Sequence, residues 1–163
     1  MKFDTVIIGG GLAGMACGIR IAEAGRSCAI VSQGQSAIHF SSGSFDLLGR
    51  MPDGREVTDP IAGITELEQT SQEHPYAVMG AERCLKYAQR VPELLRTSGI
   101  SVLGDCRKNH YRVTPMGRSK ATWLTIDGYL TEQEPGKLPF EKVCIVNVEG
   151  FLDFYPEFIA EEF

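Results

Sequence analysis

The chain has 163 residues, 43% apolar and 23% charged, and a net charge of −5. That length buries about 70% of the surface an unfolded chain exposes, so a soluble globular protein is expected and the disordered and fibrous classes are excluded. The acid excess leaves no basic stripe for nucleic acid, no apolar run approaches the roughly 20 residues that span a bilayer, and the N-terminus enters a strand without a basic leader. The expected setting is cytoplasmic, with any membrane contact made through a partner.

Thr5 to Ile8 form a short β-branched, apolar run that reads as a fully buried strand, and Leu12 to Ala24 follow with helix-period apolar residues. Gly25 is placed to cap that helix, and Ser27 to Val31 supply a second strand. The pattern predicts a βαβ unit with parallel pairing. "QGQSAIHFSSGSFDLLG" has no clear period and reads as a loop with one helical turn. In "TDPIAGITELEQ", Asp59 is the expected N-cap and Pro60 the first helical residue, and His74-Pro75 is expected to stop that helix. A longer helix is predicted over 81–97 with Cys84, Leu85, Ala88, Val91, Leu94 and Leu95 inward, broken near Arg90 because Pro92 lacks a backbone donor.

From Ile100 the period changes to alternation, and "ISVL", "YRVTP" and "ATWLTI" predict three antiparallel strands. "EKVCIVNV" then reads as a central strand of the first sheet, and "DFYPEFIAEEF" begins a helix inside which the chain stops. The expected architecture is α/β: a Rossmann-like FAD/NAD(P)-binding domain over 1–163 with a doubly wound parallel sheet, a small antiparallel β insertion at 100–130, and the character of an N-terminal part of a longer chain.

Five cysteines without a C-x-x-C pair support neither a disulfide framework nor a metal site, and Cys17, Cys28, Cys84 and Cys144 fall in apolar patterns that predict burial. His39, His74 and His110 have no ligand spacing, so no metal is expected.

"GGGLAG" places G-x-G-x-x-G on Gly9, Gly11 and Gly14, directly after a strand and at a helix start. In that context the first glycine allows the tight turn, the second lets backbone approach a pyrophosphate, and the third lets helix and strand pack closely. Helix N-terminal amides then face the anion. A tight turn with nothing bound is the simpler reading of such glycines, but strand, helix and return strand all match here.

An acid about 20 residues on usually holds the adenosine ribose, and Ser32 followed by Gln33 stands at that place. A serine makes one such bond, not the double grip of a carboxylate, so either the adenosine is held differently or the ligand lacks it, as FMN does. No arginine stands there for a 2′-phosphate, since Arg26 comes too early, so NADP is not favoured. Ser41, Ser42, Gly43 and Ser44 can offer hydroxyls and amides to a phosphate or a flavin edge, though a Ser/Gly cluster alone is also an ordinary surface turn. His39 beside them is simplest as an exposed residue. Arg112, Arg118 and Lys120 form a basic cluster that could meet an anionic substrate but read more simply as a solvated hairpin face, and Trp123 reads as core. No triad, carboxylate pair or activated cysteine is visible, so catalytic residues stay unassigned and any redox chemistry belongs to a cofactor.

"FDTVIIGGGLAGMACGIRI", "CAIVSQGQSAIHFSSGSFDLL", "DGREV", "HPY", "RVTPMGRSKATWL" and "KVCIVNVEGFLDF" together resemble the family of B subunits of the anaerobic glycerol-3-phosphate dehydrogenase, within the two-dinucleotide-binding flavoproteins. The resemblance implies a flavin-dependent enzyme complex that oxidises sn-glycerol 3-phosphate to dihydroxyacetone phosphate, with electrons passed to quinone in fumarate or nitrate respiration. It also implies two partners of the same glycerol-3-phosphate dehydrogenase complex, an FAD-bearing A subunit plus an iron–sulfur C subunit that anchors the complex at the inner membrane. For the B subunit it implies FMN, with FAD the alternative, and Gly9, Gly11 and Gly14 carry over as cofactor-binding positions. An electron relay from the FAD-bearing partner fits this assignment. A competing expectation is a structural subunit that kept the fold without the cofactor, while a stand-alone nicotinamide dehydrogenase is disfavoured by the missing ribose acid.

Overall fold

β-branched residues suit a pleated backbone, and "TVII" forms β1 (Thr5–Ile8) in the computed structural model, which describes residues 1–162. Helix α1 (Leu12–Glu23) follows the glycine turn, and β2 (Cys28–Val31) returns parallel to β1 with Thr5 opposite Cys28 and Ile8 opposite Val31. Gly25 takes a φ of +70° just past the helix. These elements and a 3₁₀ turn at Ala37–Phe40 make one compact unit, Met1–Ser42.

One face of the β1–β2 ribbon packs on α1. A side chain at Gly18 would stand 3.1 Å from Ile30 and 3.6 Å from Ile7, so glycine there lets helix and strands approach. The other face is open, with Val6 60% and Ile8 90% exposed. The expectation of a fully buried strand is therefore corrected: alternation sends Ile7 to the helix and its two neighbours away from it.

The second unit begins at Gly43. It contains β3 (Ser44–Phe45), α2 (Pro60–Thr70), α3 (Pro75–Met79), α4 (Ala81–Ala88), α5 (Val91–Thr97), β4 (Val102–Gly104), β5 (His110–Val113), β6 (Ser119–Thr122), β7 (Leu124–Ile126), β8 (Thr131–Glu132) and α6 (Pro156–Glu162). Asp59 caps α2 as expected, its carboxylate accepting from Ile61 N at 2.9 Å and Ala62 N at 3.0 Å. That helix already ends at Thr70, and His74-Pro75 starts α3 instead, with the His74 ring accepting from Tyr76 N at 3.2 Å. The predicted long helix does break at Gln89 and Arg90, ahead of Pro92. Of its expected inner face, Leu94 is 40% exposed.

Two apolar clusters hold this unit together. Leu48, Met51, Val57, Ile61, Ile64 and Leu67 pack with Ala81 and Cys84. Ala88, Val102, Cys106, Trp123 and Leu124 form the other, so Trp123 is core. "ATWLTI" does not make one strand: it divides at Trp123 into β6 and β7, which enter two separate three-stranded antiparallel sheets, β6-β5-β8 and β3-β7-β4.

Two further expectations are corrected. The parallel sheet has two strands, not a doubly wound set, because "EKVCIVNV" is no strand. It makes no ladder bonds, and Val146 and Val148 are 76% and 73% exposed, so its apolar composition alone does not produce pairing. Among the cysteines, Cys84 and Cys106 are buried while Cys17 and Cys144 are exposed. Burial pushes the Cys84 and Cys106 thiols up.

Candidate functional site

The glycine turn is built by three different constraints. Gly9 has a φ of +111°, where a side chain is disfavoured, and its N–H donates to Val31 O at 2.8 Å, which ties the turn to the end of β2. Gly14 lies so close to the turn that a Cβ on it would stand 1.9 Å from Gly9 O. Gly11 is unlike either. Its φ of −79° suits any residue, and the nearest atom to a Cβ there would be Ser36 Cβ, 4.0 Å away.

Gly11 is also the N-cap of α1, with no side-chain cap and no acid in the first turn. The first intrahelical bond runs from Met15 N to Gly11 O at 3.0 Å, which leaves the amides of Leu12, Ala13 and Gly14 without a helical acceptor. The turn therefore presents backbone donors and the positive end of the helix beside a space that protein does not fill.

Ser32 is brought to this turn: a Cβ on Gly10 would lie 3.0 Å from both Ser32 Cβ and Ser32 Oγ. Ser32 and Gln33 are exposed just past β2, and Ser36 is half-buried beside Gly11. Ser36 is the neighbour that reading the sequence missed, and its only signal was a hydroxyl shortly after the second strand. The serine loop is divided between the two compact units. Ser41 and Ser42 close the first unit, while Gly43 and Ser44 open the second, where Ser44 pairs with Thr125 in the ladder and Ile126 N donates to Gly43 O at 2.8 Å. Gly43 has a φ of +69° and is covered by a ring, since a Cβ there would lie 2.5 Å from Tyr129 Cε2. His39 is exposed and stacks edge-on with Phe40 at 5.1 Å.

The second unit has a cavity of about 350 Å³ lined by Asp46, Arg50, Glu56, Tyr111, Ser119 and Lys120 among others. Its cations are matched internally, Lys120 with Asp46 at 2.5 Å and Arg50 with Glu56 at 3.0 Å. Burial first, then the Glu56 charge, pushes the Tyr111 phenol up. The expected solvated basic face holds for Arg118 and Lys120, which are exposed, but not for Arg112. Arg118 pairs with Glu162 at 3.6 Å and Lys120 with Asp46, whereas Arg112 is buried, because its strand β5 lies between β6 and β8.

Among the described residues no group of three or more His, Cys, Asp and Glu could hold a metal ion, and no helix is long and apolar enough to cross a membrane.

Curated relatives match nearly the whole chain. The B subunit of the "Anaerobic glycerol-3-phosphate dehydrogenase" of Yersinia pseudotuberculosis is 47% identical over 161 residues, covering 98% of this chain and 38% of that protein. Proteins of the same name from Pasteurella multocida and Pectobacterium atrosepticum are 42% and 47% identical, again over 38% of their length. The chain is thus a homologue of these B subunits and spans 38% of the length of the relatives it matches. No solved structure matches it. A family model described as "FAD binding domain" matches residues 4–163. Extending from Asp4 through both compact units, that match makes the chain a member of the FAD binding domain family.

Proposed function

We propose that this chain holds a flavin nucleotide by its phosphate at the turn from Gly9 to Gly14, as one component of a complex that oxidises sn-glycerol 3-phosphate to dihydroxyacetone phosphate. The observation that carries the reading is Gly11: nothing in the protein's own packing requires a glycine there, yet a side chain would occupy the space faced by the first-turn amides of α1. Family membership implies a Rossmann-like fold, and the β1–α1–β2 unit supplies its nucleotide-binding part. Ser32, packed against Gly10, and Gln33 would stand toward the nucleoside end. Ser41 and Ser42, with Gly43 and Ser44, remain the proposed contacts of the serine loop. When bound, a flavin supplies two-electron acceptance from an alcohol carbon.

The family description favours FAD. Ser32 favours a second reading, FMN, because it gives the ribose of an adenosine one hydrogen bond where an acid gives two. The relatives' designation as the B member of a dehydrogenase supports a multi-subunit setting for this chain. The assembly we propose has an FAD-bearing dehydrogenase partner and an iron–sulfur partner that holds the complex at the inner membrane and receives electrons bound for quinone.

The test is to purify the protein alone and with its FAD-bearing partner, release any flavin by denaturation, and weigh it. FAD or FMN in the protein purified alone supports the reading and decides between the two nucleotides, as does flavin in the pair beyond what the partner carries by itself. Absence of such flavin from both samples overturns it in favour of a structural role. Gly11→Val should abolish flavin retention, and a yellow Gly11→Val protein would refute the phosphate site.

A further inference from the structure

Arg112 is 6% exposed, and among the described residues its buried Nε has no hydrogen-bond partner. Among the described residues no carboxylate lies within ion-pair distance of it, although Arg50, Arg55, Arg118 and Lys120 each have one. The nearby buried acid Glu132 is not its counterion. Glu132 faces Tyr111 across the β5–β8 ladder, one residue out of step with Arg112, and its Oε2 is taken by the Ser119 hydroxyl at 2.6 Å and Gly136 N at 3.0 Å.

The residues directly opposite Arg112 supply no carboxylate, and the unpartnered Glu132 Oε1 belongs to the neighbouring ladder position, whose side chain points to the other face of the sheet. Directly opposite it are Lys120 on β6 and Thr131 on β8, so two cations face each other across β5–β6, and only Lys120 is neutralised, by Asp46. The Arg112 guanidinium lies 5.7 Å from the centre of the Tyr129 ring, and that ring covers Gly43 of the serine loop. Tyr129 is itself 45% exposed, which puts solvent one ring away from the cation. A buried guanidinium without an acid carries a desolvation cost that an oxyanion relieves, and its planar fork matches the two oxygens of a phosphate or carboxylate.

We infer that Arg112, backed by Tyr129, is a recognition residue for an oxyanion, a phosphate or carboxylate group of a small ligand, at a site within the second unit. This assignment does not depend on a flavin at Gly11.

The experiment follows thermal unfolding of the purified protein against inorganic phosphate and, separately, acetate, for the wild type, Arg112→Met, Arg112→Lys and Gly11→Val. In the wild type one or both anions raise Tm in a saturable way at millimolar concentration. Arg112→Met weakens that binding by about 10- to 100-fold, the loss of charge-assisted hydrogen bonds, while its Tm without anion equals or exceeds the wild-type value. Arg112→Lys keeps the charge and recovers part of the response. The part of the response that Arg112→Met removes is still present in Gly11→Val, so this result is read separately from flavin retention. A response to phosphate but not acetate identifies a phosphate site, and the reverse a carboxylate site. No response to either anion, an undiminished response in Arg112→Met, or an anion-free Arg112→Met that melts lower or fails to fold would each overturn the assignment, the last by showing that the arginine is structural.

Discussion

Gly11 and Gly14 look alike in the motif, yet the structure gives them opposite constraints. A methyl group on Gly14 would lie 1.9 Å from Gly9 O, a backbone atom that cannot swing away, whereas one on Gly11 reaches only Ser36 Cβ at 4.0 Å. Gly14→Ala should therefore destabilise the first unit by about 3 kcal/mol, the upper range for overpacking a closed site. Gly11→Ala should change stability by less than about 0.5 kcal/mol, as substitutions without strain do, and still impair flavin retention. Urea unfolding of both variants, read beside flavin content, checks the pair. Equal stability losses would mean that Gly11 too is held by packing.

At the scale of elements, β5 and β7 belong to different antiparallel sheets, and His110 on β5 joins them through Thr125 on β7, with Nε2 and Oγ1 2.8 Å apart. Burial lowers the His110 pKa from its ordinary 6.5, so the folded chain resists a proton that the unfolded chain accepts. Below pH 6.5 the unfolded state is favoured by that proton, and stability falls until the pH reaches the depressed folded-state value, where the loss levels off. Urea midpoints between about pH 8 and 5 should show this decline, and His110→Gln, which keeps a partner for Thr125, should flatten it. A decline of the same size in His110→Gln would assign it to other groups.

Across the molecule, large apolar side chains stay exposed in both units. Ile8 is 90% and Val31 56% exposed in the first, and Leu152 is 79% and Phe151 58% exposed in the second. Ile8 and Val31 stand side by side in the β1–β2 ladder, and contiguous apolar surface of that kind usually meets another surface. The protein should therefore bind the dye ANS in its native state and enhance its fluorescence, an effect readily measured by titration. Native protein that leaves the dye dark would show these faces covered in solution.

Where a local rule sufficed, the sequence was enough. β-branching and the glycine spacing placed β1, the turn and α1. Asp59 and Pro60 announced α2, and Pro92 broke the helix before it, because caps and prolines act within a few residues. The family, too, was legible from its motifs. Pairing was not, because it depends on residues distant in the chain. "EKVCIVNV" carries a strand's composition without a partner, and "ATWLTI" is split by Trp123 between two sheets. Arg112 shows the same limit at the candidate site. Alternation left it on a polar hairpin, and only tertiary structure, by closing β6 and β8 around β5 and laying Tyr129 beside it, buried a charge that no acid among the described residues answers.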